Sequence, residues 1–250
     1  MFMRHKLIFQ LTIILLINAK ANSSETEFKK ILDGIFRQQE RMAQEISDAI
    51  FEAKYSYSET KPNSTIVKDI VALRKVYMKE FEKQKHEFYA LAINNRQQNL
   101  VEMKKQLTEW RRQEQMIKKT KMPFIPKLRK DYDYSLLGNK FYKGNEVWEV
   151  GFRPKRNRAG YVKGFAYVSA QDSNIVQLSF VPVRIPFVLR NFGITIDYSR
   201  QDDYWLPAKF KMDADVVVKL ILTLYQRHIH IEEEYSNYQF NKELPDSLFE

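Results

Sequence analysis

The side chains that could do chemistry are few, and the first group lies near the C-terminus. His228 and His230 are separated by one residue, and Glu232 continues the same spacing. In a β-strand this spacing places all three side chains on one face, where imidazole and carboxylate groups can bind a metal ion. A solvent-facing polar stripe explains the spacing equally well, and the sequence indicates no further strong ligand. We therefore predict no metal site.

Carboxylates form two clusters, at 202–203 and at 232–234. Acid–base catalysis needs titratable groups in a defined geometry, whereas carboxylates in a turn or on a strand edge are typical of charges that discourage aggregation. The chain has no cysteine, which excludes a thiolate nucleophile, a thiolate metal site and a disulfide framework. It has no Ser-His-Asp signature, phosphate-binding loop or dinucleotide fingerprint. We predict no catalytic residue, no cofactor and no enzyme activity.

The densest basic segment is a predicted hairpin loop whose cations are Arg153, Lys155, Arg156 and Arg158. A loop of this kind can contact lipid phosphates or an acidic partner. Runs of like charge also occur in loops that only face solvent. The sequence leaves these alternatives open.

The first 21 residues have the three parts of a secretory signal peptide. Arg4 and Lys6 give a positive start, residues 7–17 are mostly apolar, and residues 19–21 read Ala-Lys-Ala. The apolar run is shorter than the roughly 20 residues that a membrane-spanning helix needs. We predict a signal peptide at 1–21, cleaved after Ala21, and export to the periplasm of a bacterial envelope.

The chain is basic, with 41 Lys and Arg against 31 Asp and Glu in 250 residues and a formal net charge of +10. Such an excess favours anionic membrane surfaces or nucleic acid. Export argues against nucleic acid, which leaves peripheral contact with a membrane. A hydrophobic content of 44% excludes a wholly disordered chain and suffices for a sizeable core.

Hydrophobic periodicity predicts helices at 24–45 and 94–121, the second with a basic face. Alternating apolar and polar residues predict strands at 46–57 and six to eight more from 132 to 240. Residues 66–92 alternate only in part, and their many Lys and Glu would also suit a helix. We favour strands there, because the strand at 46–57 needs a pairing partner. Within the last group, residues 216–231 are expected to form one long bent strand. The predicted fold class is α+β, a highly curved antiparallel β-sheet (a half-open β-barrel) covered by helices. We expect one domain at 22–241 and a flexible tail at 242–250.

The C-terminal half resembles the periplasmic outer-membrane lipoprotein carrier superfamily. This group contains the Lol carrier and receptor proteins and related envelope proteins of Bacteroidetes-type bacteria. The resemblance covers residues 130–240 and follows from phrases in a fixed order, at 133–138 (DYSLLG), 148–155 (WEVGFRPK), 160–172, 175–178, 198–207 and 235–238 (YSNY).

The resemblance implies a half-open barrel whose helices cover an apolar cavity for the acyl chains of lipids or lipoproteins. Large aromatic side chains on the predicted strands are the candidates to line it: Trp148, Phe152, Phe165, Tyr167, Phe180 and Trp205. Aromatic residues on these strands would equally fill an ordinary core.

Two functions follow from these alternatives. The first is a periplasmic lipid- or lipoprotein-binding protein that holds acyl chains in the cavity, in transport to the outer membrane. The second is a non-enzymatic structural or interaction module with a filled core, which binds a protein partner of the envelope. An open apolar surface inside the sheet favours the first function, and a fully packed interior favours the second.

Overall fold

The computed structural model describes residues 25–106, 108, 120–219 and 223–249. The predicted signal peptide, and residues 107 and 109–119 of the predicted second helix, lie outside this part of the chain. A first helix, α1, covers residues 25–45. The strands are β1 (Asp48–Thr60), β2 (Ile66–Lys79), β3 (Lys83–Ile93), β4 (Arg96–Gln97), β5 (Tyr132–Tyr142), β6 (Asn145–Pro154), β7 (Val162–Ser169), β8 (Ile175–Pro182), β9 (Leu189–Gln201), β10 (Tyr204–Lys219) and β11 (Thr223–Phe240).

All eleven strands form one sheet, in the order β4-β3-β2-β1-β11-β10-β9-β8-β7-β6-β5. Every neighbouring pair is antiparallel. Two meanders, β1–β4 and β5–β11, are joined where β1 pairs with β11. The antiparallel sheet and its seven C-terminal strands confirm the predicted fold class.

The sheet is open, and it curves so far that segments beside its two edges meet. Lys127 lies just before the edge strand β5, and Glu82 lies in the turn between β2 and β3. Their side chains approach to 3.9 Å, although β5 and β3 lie at opposite sides of the strand order. The arrangement is a half-open barrel.

Helix α1 forms because its apolar residues recur at spacings of three and four, which gives it one apolar face. Ile31, Ile35 and Phe36 are buried on this face and belong to the largest core. The helix lies close to the sheet at Gly34, where a Cβ atom would come within 2.5 Å of Oγ of Ser173 in the turn after β7.

A second helix, α2, begins at residue 100 and is described through residue 106 and at 108. The Asn99 side chain caps it, because its Oδ1 accepts hydrogen bonds from the backbone N–H groups of Val101 (2.9 Å) and Glu102 (3.0 Å). Residues 94–97, which we predicted to be helical, form a turn and β4. Met103 joins α2 to a small core on β1–β3.

The prediction of one bent strand at 216–231 is wrong. This run is divided between β10 and β11, which pair with each other. Residues 220–222, between the two strands, lie outside the described residues. The β-branched residues of the run suit either strand, so composition alone does not show where one strand ends.

The tail, which we predicted to be flexible, packs against the start of β1 and the β2–β3 hairpin. Leu244 is buried, and the Lys79 ammonium donates to its carbonyl oxygen at 2.9 Å. A short 3-10 helix follows at Asp246–Phe249. Within the described residues, no helix combines the length and apolar character needed to cross a membrane.

Candidate functional site

The inner face of the sheet, which faces α1, carries apolar side chains across many strands. Cross-strand partners in an antiparallel sheet lie on the same face. One row of successive partners on this face consists of Phe180, Ile194, Met212, Ile231, Tyr57 and Ile70. The apolar surface therefore extends from β8 to β2 without a break.

Helix α1 and residues 122–124 cover the part of this face formed by β5–β8. The Phe124 ring centroid lies 6.3 Å from that of Phe36 and 5.6 Å from that of Phe152. Phe36 and Phe152 are buried together with Ile35 in the largest core. Full burial of such a side chain stabilises the folded protein by about 1.5–3 kcal/mol. Because these side chains are buried and pack against one another, this region is a filled core.

The inner face is less covered over β9 and β10. Four inward apolar side chains there are half-buried, in contrast to the buried core on β6–β8. We call them the open strip: Ile194, Ile196, Phe210 and Met212. A concave, partly accessible apolar surface is the usual form of a site for an apolar ligand.

A buried polar cluster lies beside the open strip. Nη2 of Arg74 donates a hydrogen bond to Oε1 of Glu233, and Nη1 of Arg74 lies 2.8 Å from Nδ1 of His86. The Tyr235 hydroxyl donates to Oε2 of Glu233 at 3.1 Å. The Arg74 and Glu233 side chains are only 5% and 10% exposed. Buried charges of this kind are retained when each is paired and hydrogen-bonded.

A second polar cluster surrounds Glu59 near the end of β1. Its carboxylate accepts hydrogen bonds from the hydroxyls of Tyr57 (3.1 Å) and Tyr225 (2.9 Å) and pairs with Nε of Arg227 at 3.2 Å. Burial raises the pKa of Tyr57, and the Glu59 carboxylate raises it further. The hydroxyl therefore stays protonated and remains a donor. Each polar cluster contains one Arg and one Glu, so both add little net charge to the apolar face.

The structure places three of the predicted lining residues on the inner face. Phe152 and Phe180 are buried in the largest core, and Trp148 packs against it. Phe180 on β8 is the cross-strand partner of Ile194 in the open strip, whereas Trp148 and Phe152 lie on β6, which β7 and β8 separate from β9.

Phe165 and Tyr167 lie on the outer face. Tyr167 pairs with Glu149 and Gln177, and the Lys140 ammonium lies 4.8 Å from the centroid of its ring. Gly164 is the cross-strand partner of both Phe152 and Phe180, and an added Cβ there would meet the backbone of Ser179 and Phe180 on β8. We do not include Phe165 and Tyr167 in the proposed lining.

Trp205, the sixth predicted residue, lies at the start of β10. Its indole N–H donates to Oδ2 of Asp172 at 3.2 Å, in the turn between β7 and β8. The amide of Gln38 on α1 donates to the Asp172 carbonyl oxygen at 3.1 Å. Trp205 therefore helps to hold α1, the turn and β10 together at one end of the inner face.

The predicted basic loop joins β6 to β7. Lys155, Arg156 and Arg158 line a shallow cavity of about 250 Å³ together with Lys130 and Tyr161. Arg153 precedes the loop on β6, is 80% exposed, and lies 3.9 Å from the carboxylate of Asp133. The four cations are thus brought together on one surface, apart from the open strip.

The His228 and His230 side chains lie on the outer face of β11, opposite two carboxylates of β10. Nδ1 of His230 lies 2.7 Å from Oδ1 of Asp213, and Nδ1 of His228 lies 2.9 Å from Oδ1 of Asp215. The hydrogen bond to His228 lowers the pKa of Asp215. Among the described residues, no group of three or more His, Asp or Glu has the arrangement of a metal site.

The sequence analysis missed the Arg74–Glu233 pair and the open strip. The sequence contained one indication of where Arg74 lies. Ile70, Ala72, Arg74 and Val76 are alternate residues of β2, and the structure buries all four. The cation therefore occupies an inward position in a strand pattern. Glu233 stands between two further glutamates, and nothing in that run distinguishes it.

Comparisons with known proteins were made for both sequence and fold. No family model and no curated protein matches the sequence. A DUF1329 family protein from Desulfovibrio piger is similar in structure, with 10% identity over 89% of this chain and 96% of that chain and a TM-score of 0.44. A protein described as an outer membrane lipoprotein-sorting domain, from Vibrio parahaemolyticus, has 12% identity over 88% and 97% and a TM-score of 0.43.

A third solved structure is also similar to this chain. It is a LolA superfamily protein from Nitrosomonas europaea, with 11% identity over 89% of this chain and 96% of that chain and a TM-score of 0.36. The geometry of this chain is a half-open barrel with an apolar inner face, which is the architecture that the resemblance to the Lol carriers implied.

Proposed function

We propose that the protein is a non-catalytic, periplasmic binding protein that holds the acyl chains of a lipid or lipoprotein against the inner face of its sheet. The observation that carries the proposal is the open strip. Its four apolar side chains are half-buried on the concave side of the sheet, where a filled core would bury them. Moving an acyl chain from water onto such a surface contributes on the order of 0.8 kcal/mol per CH₂ group.

The surroundings of the open strip suit an apolar chain. Phe210 is the direct cross-strand partner of Ile196 on one side and of Glu233 on the other. Because Glu233 is already paired with Arg74, the strip is bordered by a neutralised polar cluster. Trp148, Phe152 and Phe180 lie on the same face and continue the apolar wall towards β6.

The test combines binding of a fluorescent fatty acid with native mass spectrometry of the protein purified from an envelope extract. The informative variant is Phe210→Asp, which puts a charge on the open strip. The matched control is Phe165→Asp, because both phenylalanines are half-buried on strands and they lie on opposite faces. We expect Phe210→Asp to weaken probe binding by about tenfold or more, and Phe165→Asp to leave it close to the wild-type value.

The proposal fails if the folded wild-type protein carries no lipid and takes up no probe. It also fails if both variants weaken binding equally, since the probe would then not distinguish the two faces. The first outcome would favour the interaction module with a protein partner, and the second would remove the open strip as the binding surface. Circular dichroism of each variant checks that the charge has not unfolded the sheet.

A further inference from the structure

Two loops and the segment before β5 meet on one surface, away from the open strip. The backbone N–H of Lys121 donates to the carbonyl of Gly160 at 2.7 Å, and that of Lys155 donates to the carbonyl of Asp131 at 2.9 Å. The guanidinium of Arg184 donates to the carbonyl of Asn157 at 3.0 Å. Residues 121–133, 153–161 and 183–190 therefore form one continuous surface, which we call the basic face.

The basic face is charged almost entirely with one sign. It carries ten Lys and Arg side chains against two Asp. Three of these cations have a carboxylate within 4 Å: Arg129 pairs with Asp33 of α1 at 2.5 Å, Arg153 lies 3.9 Å from Asp133, and Lys127 lies 3.9 Å from Glu82. The remaining cations produce a positive potential that attracts anionic groups, and salt weakens this attraction.

The loop between β8 and β9 adds exposed apolar side chains to the basic face. Phe187 is 82% exposed and Ile185 is 40% exposed, with Arg184 and Arg190 on either side in the sequence. Hydrogen bonds fix the base of the loop, because the Val183 N–H donates to the Tyr161 carbonyl at 2.9 Å and the Val188 carbonyl accepts from Val217 at 2.7 Å. The loop thus presents a large aromatic ring to solvent on a fixed support.

From this combination we propose that the basic face docks on an anionic phospholipid bilayer. The cations bind lipid phosphates, and Phe187 and Ile185 insert among the headgroups. Exposed apolar residues surrounded by Lys and Arg have the composition of interfacial membrane-binding segments. An acidic protein surface would suit the cations, but it would leave the Phe187 ring in water. This surface is separate from the open strip, so the proposal stands without the proposed acyl-binding function.

Because the chain contains no cysteine, a single introduced cysteine can be labelled selectively. Phe187→Cys is labelled with an environment-sensitive dye in the full-length mature protein. The control is Phe141→Cys, since Phe141 is 79% exposed and lies on the edge strand β5 near its turn to β6. Vesicles contain either phosphatidylcholine alone or a mixture with phosphatidylglycerol. We expect dye emission to rise at position 187 with the anionic vesicles only, and to fall back in high salt.

Charge reversal tests the cations separately by vesicle co-sedimentation. We expect Arg156→Glu with Arg158→Glu to weaken binding to anionic vesicles by about 30-fold or more. Arg200→Glu, at an exposed position near the end of β9, should change it little. The inference is overturned if the labelled loop shows no change with anionic vesicles, if neutral vesicles bind equally, or if the Phe141 position responds alike. Fatty-acid binding by the same variants stays intact if only the docking proposal is wrong.

Discussion

Arg74 on β2 and Glu233 on β11 form an ion pair across the intervening strand β1. The contact is made over two alanines. Ala53 on β1 is the cross-strand partner of Arg74, and Ala72 on β2 lies two residues before it on the same face. Both alanines are fully buried. Because these side chains are small, the guanidinium can lie along the inner face and reach the carboxylate.

Removing one member of this pair should destabilise the protein strongly. We expect Arg74→Met to lower the free energy of unfolding by about 3–5 kcal/mol, because Glu233 would be left as an uncompensated buried charge. The double variant Arg74→Met with Glu233→Met should recover most of the loss. Urea denaturation followed by tryptophan fluorescence measures both effects.

The exposed pair of Lys54 and Glu234 provides the control, since its atoms are 3.9 Å apart and both side chains are about half exposed. Lys54→Met should change the free energy of unfolding by less than about 0.5 kcal/mol. Equal losses for Lys54→Met and Arg74→Met would contradict the importance assigned to burial.

Gly164 on β7 should tolerate no side chain. A Cβ atom built there would lie 2.0 Å from the backbone oxygen of Ser179, far inside van der Waals contact. We expect Gly164→Ala to lower the free energy of unfolding by about 1–3 kcal/mol or more. Gly193→Ala on β9 is the control, because no atom lies within 4 Å of its added Cβ. If Gly164→Ala unfolds at the same urea concentration as the wild type, β7 and β8 can move apart at no cost in free energy, and the prediction is wrong.

The alternation of apolar residues was enough to predict the strands and the antiparallel sheet. It did not predict which side chains of each strand point towards the inner face. In β7 the aromatic residues Phe165 and Tyr167 point outwards, and Gly164 and Ala166 point inwards. Residue size alone favoured the opposite assignment. At Gly164 the backbone of Ser179 and Phe180 on β8 leaves no room for a Cβ atom, and such a contact between strands cannot be found from the spacing within one strand.

The Tyr198 hydroxyl gives a pH dependence at the alkaline end. Burial raises the pKa of Tyr198 to about 12, from 10.0 in an exposed tyrosine. The unfolded chain therefore loses this proton first, so the stability associated with it is complete below pH 10 and is lost as the pH rises through 12. We expect Tyr198→Phe to gain stability relative to the wild type over this range, by on the order of 2 kcal/mol.

The measurement is the difference in free energy of unfolding between wild type and Tyr198→Phe from pH 8 to pH 12. The difference should be constant below pH 10 and should then change in favour of the variant. A difference that stays constant up to pH 12 would mean that Tyr198 ionises alike in both states.

Asp48 should control the C-terminal tail. It is buried, and its carboxylate accepts hydrogen bonds from the backbone N–H groups of Lys242 (2.7 Å) and Leu244 (3.2 Å). Asp48→Ala removes both acceptors and should cost about 1–3 kcal/mol. We expect trypsin to cleave the variant after Lys242 much faster than the wild type, as followed by mass spectrometry. Asp203→Ala, in an exposed turn, should show the wild-type cleavage pattern.

The packing of the C-terminal tail could not be predicted from the sequence of the tail itself. Residues 241–250 have no periodic apolar pattern, and what holds them comes from distant residues. Asp48 lies at the start of β1, and Lys79 and Lys83, which pair with Asp246 at 3.3 and 2.8 Å, belong to β2 and β3. The open strip was likewise hidden, because Phe210 and Ile194 resemble core residues until the extent of α1 is known.

The pairing of β1 with β11 has a consequence for the time at which this protein can fold. Synthesis proceeds from the N-terminus, so β1–β4 are made long before β11, the remaining neighbour of β1. Until β11 has been made, Arg74 lacks the Glu233 carboxylate, and β1 has β2 as its one neighbouring strand. Contacts so distant in sequence form slowly. Completion of the sheet is therefore delayed until β11, the last strand in the sequence, has been made.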